Sequence, residues 1–186
     1  MRIIRGKHKG RKILPPTDKT TRPLRDMVKE SIFNLIENSN KYTFQLKGAH
    51  VLDLFSGTGS FGLECISRGA NDVIFVEKYL PTFKILKKNL LSLNEDKNDQ
   101  IFEENCFDFI KNLNDLNSKF DIIFIDAPFK EKDIKNLIEL ILEKKILKKT
   151  GIIILHRHKK DDLKISDKLK ILDERMYGIS KIIFGN

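Results

Sequence analysis

The chain has 186 residues, 40% of them hydrophobic and 33% charged, with a net charge of +9. That length can carry a full hydrophobic core, no apolar run approaches the roughly 20 residues of a membrane span, and the start, MRIIRGKHKGRK, lacks the apolar centre of a secretory signal. Two cysteines, Cys65 and Cys106, lie in separate segments with no CxxC or Cys/His cluster. This argues against a disulfide framework and a zinc site and fits a reducing, cytoplasmic setting.

Residues 1–25 hold nine Lys/Arg (Arg2, Arg5, Lys7, Lys9, Arg11, Lys12, Lys19, Arg22 and Arg25) against one acid, Asp18, so nearly all of the net charge sits at this end. A basic end on a nearly neutral body is an electrostatic footprint for a polyanion. Gly6, Gly10, Pro15 and Pro16 punctuate the charges as they would a hairpin or loop. A solvated tail is the plainer alternative. Next, TRPLRDMVKESIFNLIEN reads as a helix, with Leu24, Met27, Val28, Ile32, Leu35 and Ile36 at helical spacing and Thr21 or Asp18 as its cap.

Beyond Gly48, strands and helices alternate. HVLDLF, DVIFVE, QIFEEN, FDIIFID and GIIILH read as strands. SFGLECISRG, LPTFKILKKNLLSLN, CFDFIKNL and KDIKNLIELILEKKIL read as helices between them. The alternation predicts a mainly parallel, doubly wound α/β sheet, and LKILDERMYGISKIIFG predicts a C-terminal β-hairpin around Gly178. In such sheets ligands bind beyond the carboxyl ends of the strands, where the strand order reverses.

Two motifs fall there. DLFSGTGSFG contains Gly57-x-Gly59-x-x-Gly62, and Glu77 ends the following strand. Strand, glycine loop, helix and a strand-terminal acid together point to an adenosine-containing cofactor whose ribose the acid receives. NAD would bring a pyrophosphate towards Asp53, which ends the strand before the loop and repels it. S-adenosylmethionine carries an ammonium and a sulfonium, which a carboxylate suits, although a buried structural role for Asp53 stays open.

The second motif, DAPF at 126–129, follows an apolar strand. Methylating an exocyclic amine is difficult because its lone pair is delocalised into the ring. Two acceptors on the amine N–H groups, the Asp126 carboxylate and the Ala127 carbonyl, would draw that nitrogen towards sp³ character. Pro128 restricts the turn, and Phe129 offers a face for stacking a base. Taken alone, Asp and Pro also make an ordinary turn; two motifs on one sheet edge favour chemistry.

GKHKGRKIL, TRPLRDMVKESIFNLI, DLFSGTGSFGLECISRGANDVIFVEK, DAPF and RMYG occur in the order seen in bacterial 16S rRNA guanine-N2 methyltransferases of the RsmD type, which the chain resembles essentially end to end. The resemblance implies a Rossmann-like methyltransferase using S-adenosylmethionine on the N2 of a guanine, guanine 966, in the small subunit or its assembly intermediates. It further implies a cofactor loop of Asp53, Phe55, Gly57, Thr58 and Gly59, with Glu77 on the ribose and Asn105 and Cys106 near the adenine. Asp126, Ala127, Pro128 and Phe129 then form the catalytic tetrapeptide, and Arg2, Arg5, Lys7, Lys9, Arg11, Lys12, Arg22 and Arg25 contact RNA. Residues 1–47 are then expected to form a basic, rRNA-contacting part and residues 48–186 the methyltransferase domain, of a protein expected to be a monomer with no metal and no membrane attachment.

Two positions depart from the family. Ala127 replaces a proline of the Asp-Pro-Pro-Phe/Tyr pattern, and His156 stands where an acid is common. His156 and His158 read as part of a solvated loop rather than a metal site, since a third ligand is missing. A nucleotide-cofactor oxidoreductase and a catalytically decayed RNA-binding scaffold are the rival readings; neither explains both motifs and the basic end.

Overall fold

The computed structural model describes residues 1–18, 24–38, 45–94, 101–113, 119–162 and 164–186. Thr21 and Arg22 lie outside these. The core is a seven-stranded sheet in the order β3-β2-β1-β4-β5-β7-β6. β1 (His50–Leu54), β2 (Asp72–Val76), β3 (Ile101–Phe102), β4 (Phe120–Ile125) and β5 (Leu147–His158) run parallel. β6 (Ile171–Tyr177) and β7 (Ser180–Gly185) form the terminal hairpin, with β7 antiparallel to β5. The chain returns outward in opposite directions from β1 and β4, which makes their carboxyl ends the switch point.

Successive side chains of a strand face opposite sides, and the apolar residues divide accordingly. Val51, Ile122, Phe124, Ile152 and Ile154 join one cluster with α1 (Asp26–Asn38), α2 (Ser60–Ser67) and α3 (Leu80–Ser92). Leu52, Leu54, Ile123, Ile125, Ile153 and Leu155 face α4 (Cys106–Asn112) and α5 (Ile134–Glu143). With helices on both faces, all six residues of β4 are buried, as parallel central strands require.

Several boundaries differ from the expected ones. α1 begins at Asp26, and the Asp18 carboxylate accepts from the Tyr79 hydroxyl at 2.8 Å. Met27, expected inside, is exposed, whereas Lys29 is fully buried. α5 stops at Glu143 because Lys145 takes a left-handed conformation (φ 54°) that ends the helix, so Leu147 already belongs to β5. β5 also runs through His156 and His158, so these residues stand on a strand rather than in a solvated loop.

The basic N-terminus is a small hairpin, with an Arg2–Lys12 bridge and an Ile3 N–H···O Arg11 bond of 2.9 Å. Ile3 and Ile13 are buried in the same cluster as Val28, Ile32 and Phe33 of α1 and Val51 of β1. The hairpin is seated on α2 by polar groups. The buried Glu64 carboxylate accepts from the main-chain N–H groups of Ile4 (2.8 Å) and Arg5 (3.0 Å). Lys29 Nζ, 3.5 Å from Glu64, donates to the Arg2 carbonyl at 2.8 Å. Gly6, with φ 86°, makes this approach possible, since a Cβ there would lie 1.8 Å from the Ser67 carbonyl oxygen.

Candidate active site

At the switch point, the ends of β1, β2 and β4 enclose a cavity of about 750 Å³. The turn after β1 is tight: Phe55 has φ 56°, and Gly59 N–H bonds back to the Ser56 carbonyl at 2.8 Å. Gly62 then lets α2 lie directly on β2, because a Cβ at that position would meet the Phe75 ring at 2.2 Å. This is the helix–strand packing role expected of the third glycine in such a loop.

Two carboxylates anchor this end. Glu77 is buried and accepts from Gly57 N–H (2.8 Å) through one oxygen and Tyr79 N–H (2.7 Å) through the other. Burial pushes its pKa upward, and these two hydrogen bonds oppose that shift. Asp53 is also buried; one of its oxygens accepts from Gly62 N–H at 3.0 Å, and the other has no hydrogen-bond partner among the described residues. Desolvation raises the Asp53 pKa well above the usual carboxylate range, with the charges of Asp126 and Glu77 adding to it. A buried carboxylate oxygen without a donor, beside two further acids, fits the ammonium or sulfonium of S-adenosylmethionine. A pyrophosphate would meet repulsion there.

The other end is DAPF. Asp126, Ala127, Pro128 and Phe129 all line the cavity, and Phe129 is 38% exposed. They are held from β5. His156 Nδ1 lies 2.8 Å from Asp126 Oδ1, and its Nε2 lies 2.9 Å from Ser180 Oγ on β7. On the opposite face, the buried Arg157 guanidinium donates to the carbonyls of Ala127 (3.3 Å), Pro128 (3.2 Å), Phe129 (3.3 Å) and Glu131 (3.1 Å). Its Nε binds Asp161 at 2.5 Å. His158 meets the Phe129 ring edge-on, with centroids 5.2 Å apart.

Of the expected cofactor residues, Asp53, Phe55, Gly57, Thr58 and Glu77 line the cavity. Gly59 shapes the turn without lining it. Asn105 caps α4 by accepting from Phe107 N–H at 2.8 Å, and Cys106 Sγ accepts from Phe55 N–H at 3.3 Å. Neither lines the cavity; Cys106 holds the loop through Phe55, and Asn105 stands at the head of α4. Burial pushes the Cys106 thiol well above its ordinary range, so it acts as a neutral partner there. Sequence reading missed Leu24, Lys78 and Tyr79 on the wall and Arg157 behind it. The N-terminal segment is also tied to the loop, since Asn89 accepts from Leu14 N–H (2.8 Å) and donates to the Thr58 carbonyl (2.9 Å). Arg2, Arg5, Lys7, Lys9, Arg11, Lys12 and Arg25 are exposed, and Arg5 pairs with Glu37 at 3.0 Å. No cluster of three or more metal-ligating side chains occurs among the described residues, and no described helix is long and apolar enough to cross a membrane.

Sheet order, acid-lined cavity and strand-end tetrapeptide define a Rossmann-like methyltransferase. The chain is 35% identical to the Ribosomal RNA small subunit methyltransferase D of Buchnera aphidicola subsp. Acyrthosiphon pisum, covering 87% of this chain and 80% of that protein. It is 32% identical to the protein of the same name from Haemophilus influenzae, covering 96% and 90%. The solved structure of the Escherichia coli protein yhhF matches with a TM-score of 0.82 at 25% identity, covering 100% of this chain and 96% of that one. The family described as Conserved hypothetical protein 95, the RsmD family, matches residues 1–186, and the chain belongs to it.

Proposed function

We propose that this rRNA methyltransferase uses S-adenosylmethionine to methylate the exocyclic N2 of a guanine in 16S rRNA, by resemblance guanine 966. The observation that carries the reading is that Asp53 and Glu77 at one end, and Asp126 to Phe129 at the other, line a single cavity. When bound, the cofactor supplies an electrophilic methyl group on a sulfonium. Glu77 and Asp53 would hold its ribose and its cationic end, with Asn105 and Cys106 near the adenine and Cys106 also bracing the loop through Phe55 N–H.

The protein supplies orientation and acceptors. Asp126 accepts one N2–H and the Ala127 carbonyl the other, and Asp126 takes the proton that N2 releases. Arg157 already donates to the Ala127 oxygen, but a carbonyl has two lone pairs, so a second donor is accommodated. Because N2 cannot be reached in a stacked helix, the guanine is turned out of its stack and lies on Phe129. The exposed cations of the N-terminal hairpin, together with Arg22 and Arg25, lie against rRNA phosphates. Residues 1–47 thus supply the RNA-contacting part and residues 48–186 the catalytic domain.

The test combines purified protein, S-adenosylmethionine and small subunits from a strain lacking the protein, followed by mass mapping of the rRNA. One new N2-methylguanine is expected; its absence from both subunits and assembly intermediates would sink the reading. Removing residues 1–12 would also delete the buried Ile3, so the RNA contact is better tested by Lys9, Arg11 and Lys12 changed together to Gln. This variant should show a shallower salt dependence of RNA binding, and an unchanged slope would reduce the hairpin to a solvated surface.

A further inference from the structure

We propose that His156 is a positioning residue for methyl transfer, holding the Asp126 carboxylate by an Nδ1–H donor while Ser180 steadies its ring from the other side. The inference rests on the reading of Asp126 as acceptor of the substrate amine. It starts from topology. β5 pairs in parallel with β4 through Ile125 and Leu155, which brings the residues that follow, Asp126 and His156, side by side. β7 pairs antiparallel with β5 on its other edge and contributes Ser180.

His156 is therefore flanked on both sides within the sheet. Its side chain is 2% exposed, and Ser180 is buried. Asp126 retains 16% side-chain exposure, on the cavity side. The donor assignment follows from chemistry. An ionised carboxylate only accepts hydrogen bonds, so at 2.8 Å from Oδ1 the proton of the contact belongs to Nδ1. The second ring nitrogen, 2.9 Å from Ser180 Oγ, then accepts the hydroxyl proton in the neutral ring or donates to the same oxygen in the charged one. A serine hydroxyl rotates to satisfy either case.

The consequence for the reaction is geometric. With Oδ1 tied to His156, the carboxylate is held in one orientation and Oδ2 is left for the incoming amine. Without the tie, an Asp at a strand end whose side chain reaches the cavity samples several rotamers, and few of them point an acceptor at N2. Misplacement by about 1 Å can cost roughly 100-fold in rate.

The test uses the full chain with S-adenosylmethionine and unmethylated small subunits. His156→Ala should lower kcat by roughly 10- to 100-fold, leaving KM for subunits and the calorimetric affinity for S-adenosylmethionine nearly unchanged. His156→Asn, which places an N–H near the former Nδ1, should recover most of that loss, and Ser180→Ala should lose less than His156→Ala. Wild-type kcat in His156→Ala would overturn the proposal. So would a joint loss of cofactor affinity and rate that Asn fails to rescue. A second measurement does not depend on turnover: imidazole nitrogen NMR of the wild type should show a protonated Nδ1 whose signal shifts in Asp126→Ala. Should the wild type transfer no methyl group to any form of the small subunit, the substrate reading falls, and the spectrum then decides the contact alone. A proton on Nδ1 upholds it and a bare Nδ1 overturns it.

Discussion

At the β1–β2 end of the cavity, Asp53 and Glu77 are gripped by main-chain N–H groups of Gly57, Gly62 and Tyr79, each within 20 positions in the chain. At the β4 end, Asp126 to Phe129 are gripped by side chains, His156 and Arg157, which lie 28 to 30 positions away. The first arrangement depends on a local turn and its glycines. The second depends on a strand packing correctly beside its neighbour. A backbone grip tolerates surface change nearby, whereas a side-chain grip is lost with a single substitution. The difference also separates two tasks, since the first end would hold a cofactor and the second would orient a base.

If the two ends work separately, substitutions should separate cofactor binding from transfer. The largest effect is expected for Asp126→Ala. Loss of the acceptor and proton-taking group should slow methyl transfer by on the order of 10²- to 10⁴-fold, with S-adenosylmethionine affinity nearly normal by calorimetry. A parallel fall in affinity would mean that the two ends are one site energetically. Glu77→Ala should do the reverse. A hydrogen bond to a charged group is worth about 1.5–3 kcal/mol, so cofactor affinity should drop steeply while the rate at saturating cofactor drops far less. Unchanged affinity would remove Glu77 from the ribose.

The local end was the legible one. GTGSFG and Glu77 announce a loop and its acid because turn, helix start and strand end are neighbours in sequence, and the alternation of apolar runs is enough to set five strands in parallel order. The β4 end was legible only in its tetrapeptide. HRH carries no local sign that it ends a strand, because the apolar run stops at Leu155 and charged residues follow. Only the pairing of β5 with both β4 and β7 buries His156 and Arg157. Lys29 and Glu64 were hidden for a related reason: each occupies a polar letter in a helix, and their burial depends on the N-terminal hairpin arriving from elsewhere.

Arg157→Lys probes the side-chain grip directly. A guanidinium reaches four carbonyls and Asp161 at once, and a lysine ammonium, a point charge with three donors, cannot span them. Leaving buried acceptors unpaired costs about 1–3 kcal/mol each at most, so the variant should melt earlier and transfer more slowly, with cofactor affinity kept. A variant that melts normally and transfers normally would show that the turn holds itself.

Asp53→Asn probes the backbone grip. The raised Asp53 pKa means that the unliganded folded protein holds this proton more tightly than the unfolded chain does. Its contribution to stability is therefore favourable at low pH and is lost as pH rises from the ordinary carboxylate pKa through the raised one. Cofactor affinity should rise over the same interval, because the ionised form attracts the cation. Asn can still accept from Gly62 N–H, so the variant should melt no lower than wild type near neutrality and show a flatter stability–pH curve. Its cofactor affinity should be weaker and less pH-dependent. Wild-type affinity with an unchanged pH dependence would leave Asp53 as a purely structural group.

The smallest effect is expected at Ala127, at the second position of the tetrapeptide. Ala127 is buried, its φ is not in the left-handed region, and no backbone acceptor takes its N–H among the described residues. Proline there would remove no main-chain hydrogen bond, and it would reduce the freedom of the unfolded chain, worth about 0.4–1 kcal/mol when the native φ suits it. The carbonyl that Arg157 and the proposed substrate amine share would remain. Ala127→Pro should therefore melt slightly higher and transfer methyl groups at a rate equal to or above that of the wild type. In Arg157→Lys, where the outer grip is weakened, the same proline should restore part of the lost rate, because the ring supplies from within the turn some of the rigidity that the guanidinium supplies from outside. A proline that gains the same amount with and without Arg157 would show that the two act independently, and that the guanidinium secures the turn as a whole rather than standing in for the missing ring.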